Sequence, residues 1–136
     1  MISSYNSTTQ TVDVGSAYVF DTNRISTGCT VGHVPGTTTF TLTKPGYYYV
    51  SFNTTFTTAT TGDVTVELRN GGVVVPGATG TETITTIGDT KSIAFSTIVK
   101  VLPSCVAIDN TATLTFVVDG VAADATTAAV QITKLC

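Results

Sequence analysis

The 136-residue sequence predicts an all-β protein, a sandwich of two antiparallel sheets, on three observations. Threonine outnumbers Asp, Glu, Lys and Arg together, and only 11% of the residues are charged. Thr is β-branched, stiff at χ1 and suited to a pleated surface, so this is the polarity of strands and not of a disordered chain. Apolar residues alternate with polar ones at a period of two, and no segment shows the 3.6-residue period of a helix. Turn signals recur every ~8–14 residues, which cuts the chain into about eight to ten strands.

In chain order, residues 1–15 are polar and unpatterned until Val12 and Val14, and are expected to form an N-terminal arm or anchor ahead of a single domain, 16–136. Ala17-Tyr18-Val19-Phe20 reads as a first short strand closed by Asp21-Thr22-Asn23, and Arg24 to Val31 as a weaker second one. Thr37 to Thr43 follows, with Phe40 and Leu42 on one side, and Pro45-Gly46 suits a turn with proline at its second position. The segment Gly46 to Thr57 is the most aromatic in the chain. Tyr48, Val50, Phe52 and Phe56 share one parity, whereas Tyr47, Tyr49, Ser51, Asn53 and Thr55 share the other. The first set is a core face. The second carries two tyrosines among small polar residues, too aromatic for a solvated face.

Val64, Val66 and Leu68 alternate with Thr65, Glu67 and Arg69, and Asn70-Gly71-Gly72 is a strong reversal signal. Val73 to Gly77 is expected at an edge or a strand end because of Pro76, and Thr81 to Ile87 as a separate Thr-rich strand. Ser92 to Leu102 is a long strand with Ile93, Phe95, Val99 and Val101 on its core face, yet Ala94, Ile98 and Leu102 make its other face apolar too. Ala107 to Asp119 and Thr126 to Leu135 complete the set. A sandwich should be polar on the outside of each sheet unless something covers it. Three strands with two unpolar faces (46–57, 92–102 and the last) therefore predict a patch covered by other copies of the chain.

The order Phe40-x-Leu42-x-x-Pro45-Gly46-x-Tyr48-x-Val50, then Val64-x-Val66-x-Leu68 with Asn70-Gly71 and Val75-Pro76-Gly77, resembles the C1q/TNF-like jelly roll. The ending Ala128 to Leu135 is similar to that family's last strand, and the resemblance spans roughly residues 16–135. It looks closest to the C-terminal domains of bacterial collagen-like proteins of the exosporium-filament type. The resemblance implies a jelly-roll homotrimer in which Tyr47, Tyr49, Ser51, Ile98 and Gln131 face neighbouring subunits. No Gly-X-Y stalk precedes the domain here, which weakens a spore-filament role. Similar compact domains occur in tailed-bacteriophage virions as head fibres, capsid decorations and tail-fibre tips. A chain with no recognisable secretion signal is expected to fit that setting, with residues 1–15 holding it to other virion proteins.

Little in the sequence suggests catalysis. His33 is the only histidine, no Gly-x-Ser-x-Gly elbow occurs, and no phosphate-binding loop precedes a helix. The expectation is no enzyme, no catalytic residue, no cofactor and no resident metal, although Asp109 with Asn110, or Asp119 with Asp124, are the carboxylates and amide that a calcium site would use. The six basic residues form no basic patch, against a net charge of −3, so nucleic acid is not an expected partner. No apolar run approaches ~18 residues, so a transmembrane helix is not expected either. Three cysteines, Cys29, Cys105 and Cys136, cannot all pair within one chain; they are expected as buried or half-buried thiols, with Cys136 the candidate for an inter-subunit bridge. Asn6-Ser7-Thr8 and Asn53-Thr54-Thr55 match the glycosylation sequon by chance in so Thr-rich a chain. The function expected is a structural protein of the virion surface, in contact with host surface glycans; the alternative is a carbohydrate- or receptor-binding head on a bacterial cell or spore surface.

Overall fold

The computed structural model describes residues 1–101 and 112–135. They form an all-β sandwich. Eleven strands run in the order β1 (Ile2–Asn6), β2 (Gln10–Val12), β3 (Thr22–Ser26), β4 (Val31–Gly32), β5 (Phe40–Leu42), β6 (Gly46–Thr57), β7 (Gly62–Asn70), β8 (Val73–Ile84), β9 (Lys91–Val101), β10 (Ala112–Gly120) and β11 (Ala123–Lys134). Sheet A has the order β3-β1-β11-β6-β9, with β2 also pairing β11; sheet B has the order β4-β5-β10-β7-β8. Every ladder between these strands is antiparallel.

The two-residue alternation sets which face of each strand is inside. In β6, Tyr48, Val50, Phe52 and Phe56 are fully buried, and β7 and β10 answer them across the sandwich with Val64, Val66, Leu68, Leu114, Phe116 and Val118. The core is centred on aromatic rings. Phe52 of sheet A stacks on Phe116 of sheet B with centroids 4.6 Å apart and planes 14° from parallel, and Phe20 meets Phe40, Phe52 and Phe116 edge-on. Such contacts add to the area burial that drives the fold.

Two glycines are fixed by close approach. A Cβ on Gly120, whose φ is +82°, would collide with the Asp63 carbonyl where the β10–β11 turn rests on β7. One on Gly80 would strike the Ile93 side chain, where β8 crosses onto β9 and closes that edge of the sandwich.

Several expected elements are corrected. Residues 1–15 are not an arm outside the domain, for β1 is an internal strand of sheet A, hydrogen-bonded to β3 on one side and β11 on the other. The polar residues of ISSYN hid this. Ile2, Ser4 and Asn6 all point inward, and the Ser4 hydroxyl is satisfied by Asn23 Oδ1 at 2.6 Å and the Asn6 amide by the Thr8 carbonyl. Ala17 to Phe20 forms isolated bridges instead of a strand, Ala17 with Val117 and Phe20 with Thr37, while still burying Tyr18 and Phe20 completely. The weak strand expected over 24–31 is divided between β3 and β4. Residues 73–77 and 81–84 belong to one long strand, β8, which ends at Ile84, short of the expected Ile87, and tolerates Pro76 because it is the edge of sheet B. Its break shows only as a register shift between Glu67 and Arg69 on β7.

Candidate interaction surface

The three strands expected to be unpolar on both faces lie side by side, in the order β11-β6-β9, in one sheet. Their register places the five singled-out residues on the outer face of sheet A. Gln131, Ser51 and Ser96 form one cross-strand row, and Thr133, Tyr49 and Ile98 the next. Tyr47 and Lys100 follow, with the Lys100 ammonium 5.5 Å from the Tyr47 ring centroid. On the opposite side the face runs through Ala129, Asn53 and Ala94 and ends on Tyr5 of β1. Tyr5 was missed by sequence reasoning because its strand was missed.

Tyr47 is 43% exposed, Tyr49 40%, Tyr5 37% and Ile98 56%. Between them, Ser51, Asn53, Ala94 and Ser96 floor an open trough of about 270 Å³. Across these central rows Lys100 is the one charged side chain. Large aromatics standing free above a floor of Ser, Ala and Asn leave apolar surface that water covers poorly, which is the usual mark of a contact surface.

The face continues around an edge. Among the described residues β9 has no neighbour in sheet A beyond β6, and β8 none in sheet B beyond β7. Below the Gly80 crossing the two edges part. There Val73, Val74, Val75 and Pro76 oppose Ile98 and Lys100 across a groove of about 290 Å³. Val73 is 71% exposed, and the groove it lines with Ile98 also takes in Asn70 and Lys100, so the Tyr49–Ile98 row borders the β7–β8 hairpin across a mixed apolar and polar cleft. An unpaired edge strand beside an apolar face is a ready docking element.

The residues considered for chemistry are not brought together. His33 stacks on Phe40 with centroids 4.2 Å apart, and its ring nitrogens face Asn23 Oδ1 at 2.7 Å and the Thr37 carbonyl at 3.0 Å. Burial pushes the imidazole below its ordinary value and the Thr37 carbonyl pulls it partly back. It is a clip between β3 and the 33–37 turn, and among the described residues no serine or carboxylate is bonded to it. Asp119 accepts from the Gly120 N–H, and Asp124 from the Thr11 hydroxyl at 2.8 Å. Among the described residues no three metal-ligating side chains converge; Asp109 and Asn110 lie outside them. Cys29 is exposed and unpaired, against the expectation of a buried thiol, and Cys105 and Cys136 lie outside the described residues. Of the two sequons, Asn6 is buried with its amide engaged, and Asn53 stands exposed on the outer face of sheet A.

Two five-strand paths packed face to face, with the first and last strands adjacent in one sheet, define a TNF/C1q-like jelly roll. The crystal structure of murine APRIL at pH 8.5, a TNF-family jelly roll, superposes with a TM-score of 0.63 at 10% identity, covering 98% of each chain. The structures of murine APRIL at pH 8.0 and pH 5.0 both give 0.59, at 10% and 9% identity, with the same coverage. At such identities the likeness is one of fold alone. No family model matches the sequence, and no curated protein sequence does.

Proposed function

We propose that the chain is a non-enzymatic structural protein, a homotrimer whose subunits meet through the outer face of sheet A, displayed on the surface of a bacteriophage particle as a capsid decoration or fibre component. The observation that carries the self-association is the uncharged row Thr133–Tyr49–Ile98, continuous with Tyr47 on one side and bordered by the Val73–Val74 edge on the other. A face and an adjoining edge offer two different surfaces. A ring in which the edge of one copy meets the face of the next covers both, and a threefold ring closes. The virion setting rests on the expectation that similar compact jelly rolls occur in tailed-bacteriophage particles, not on the fold.

Tyr49→Asp tests the assembly. A carboxylate pressed into a covered apolar contact is left without water or a partner, at a cost of several kcal/mol. Light scattering at micromolar concentration should show the wild type at three chain masses and Tyr49→Asp at one, with far-UV circular dichroism unchanged. Thr81→Asp, on the outer face of sheet B, should keep the wild-type mass. A monomeric wild type, or a Tyr49→Asp protein of unaltered mass, would falsify the assignment. Retention on purified phage capsids would support the virion setting.

A second reading has its own observation. Exposed tyrosines beside Ser51, Asn53, Ser96 and Gln131 are the chemistry of a sugar-binding surface, in which rings stack on pyranose faces and hydroxyls and amides bond their hydroxyls. It makes the chain a carbohydrate-binding head of a bacterial cell- or spore-surface protein. Saturable glycan binding by a monomer, lost in Tyr49→Ala, would favour it over the trimer.

A further inference from the structure

The register sorts the charged side chains by height along the strands. Let the β6–β7 turn mark the upper end and the β7–β8 hairpin the lower. Asp13 and Asp124 stand where β2 meets the start of β11, Asp63 begins β7, and Asp89 lies in the β8–β9 turn. Glu82 and Asp119 pair with Val64 and Thr65 just below, and Asp21 holds Ser7 at the end of β1. Lys91, opposite Phe56, is the one basic side chain at that height.

The lower half is the reverse. Lys44 lies in the turn before β6, Lys100 pairs with Tyr47 and Lys134 with Tyr48. Arg69 joins them from β7, Arg24 stands at mid-height on β3, level with Ser51 and Phe52, and the Met1 amine donates to the Thr27 carbonyl at the lower end. Among the described residues no carboxylate stands in that half, and Asp109 lies outside them. Glu67, at mid-height, makes the only ion pair among the described residues, with Arg69 at 2.8 Å.

The formal net charge of −3 therefore conceals an acidic upper end and a basic lower one. The 12 residues of β6 span ~40 Å. The Debye length is about 8 Å at physiological ionic strength and about 30 Å at 0.01 M. In the cell each end thus presents its own sign, little weakened by the other.

We propose that the basic end of one copy docks on the acidic end of another, so that copies stack head to tail along the strand direction. Complementarity of sign selects the occupant, since the chain itself supplies a partner for each of its ends. The two surfaces differ, so each docked copy leaves one free end of either sign and stacking continues. The contact lies across the strand ends, whereas the trimer proposed above uses a sheet face and its edge. Either association stands without the other, and salt separates them, because an apolar face contact is not screened.

Sedimentation velocity of the full chain at about 20 mM and about 300 mM salt tests the stacking. At low salt the mass should exceed that of the high-salt species at least about twofold, and fall back on adding salt. Lys44→Glu with Lys134→Glu should abolish the low-salt growth, and so should Asp13→Lys with Asp89→Lys. Among the described residues none of the four side chains makes a hydrogen bond. An equimolar mixture of the two variants should form a pair of about twice the single-variant mass, because each supplies the end that the other lacks and the contact between them uses both unaltered ends. The proposal is overturned by wild-type mass that does not depend on salt, by growth that survives either reversal, or by a mixture that stays apart. If one variant fails to fold, as circular dichroism would show, the other still decides the matter.

Discussion

The outer face of sheet A carries Tyr5, Tyr47, Tyr49 and Ile98 above Ser, Ala and Asn, while the outer face of sheet B is tiled with threonine. Thr41 stands opposite Thr113, Thr115 beside Arg69, and the Thr65 and Thr81 hydroxyls meet at 3.0 Å. At the centre of this second face lies the Glu67–Arg69 pair. Both sheets use the same alternation, and both bury large side chains inward. What differs is only the outward set, hydroxyl and charge on one sheet and phenol and methyl on the other. Since the fold needs neither set, the difference is what motivates the proposed contact through sheet A, with sheet B left to water.

If the sheets differ only in what covers them, their inward faces should respond alike. Phe52 and Phe116 are the stacked pair at the centre, one from each sheet and both fully buried. Phe52→Ala and Phe116→Ala should each destabilise the chain by ~3–5 kcal/mol in denaturant titrations of monomer, among the largest single effects available. A cost at Phe52 several-fold above that at Phe116 would mean that sheet A contributes more to the subunit than its inner packing, and would undo the symmetry.

Tyr18 gives the next effect. Its ring is fully buried and touches Phe52 at 5.2 Å, but its hydroxyl has no hydrogen-bond partner. The Thr54 hydroxyl, which lowers the phenol pKa, donates its own proton to the Thr127 carbonyl at 2.9 Å. Burial pushes the phenol up to about 12. The unfolded phenol ionises near 10, so the raised value contributes stability fully present below pH ~10 and lost as pH climbs towards 12, about 2–3 kcal/mol in all. Tyr18→Phe should remove this alkaline slope and also raise neutral-pH stability by ~1 kcal/mol, by deleting an unsatisfied group. A variant less stable at neutral pH would show that the hydroxyl has a partner after all.

How much of this was legible in the sequence follows from where side-chain parity speaks and where it is silent. β6, β7, β9 and β11 alternate over nine residues or more with large apolar members, and each was placed within a few residues. The set Tyr47, Tyr49, Ser51, Ile98 and Gln131 was legible as one face for the same reason, since parity alone assigns a face once the strands are neighbours. β1 was silent because Ser4 and Asn6 occupy inward positions that only their long-range partners make tolerable. Tyr18 and Phe20 looked like a strand because they alternate, yet they plug the core from a segment held by single bridges. The division of charge between the two ends had no signal at all. Asp13 and Asp124, or Lys44 and Lys134, are far apart in sequence and share a height only through the register of β2, β6 and β11.

The smallest effect bears most directly on sheet B. Glu67 and Arg69 project from the same face of β7, with side chains 11% and 30% exposed, and the Arg69 Nε is buried without a partner. If water covers this face, the pair is half-buried, with Glu67 sunk among its neighbours and the Arg69 guanidinium still reaching solvent. Its coupling, from a cycle of Glu67→Gln, Arg69→Met and the double variant, should then be at most about 1 kcal/mol and should shrink as salt is raised. If another molecule covers sheet B, the same pair is desolvated. Removing Arg69 alone would then strand a buried carboxylate at ~3–5 kcal/mol, while the double variant would cost far less. A large, salt-insensitive coupling would thus mean that sheet B is covered as well as the face proposed for sheet A. A small, screened coupling leaves sheet B to solvent and the proposed contact to sheet A alone.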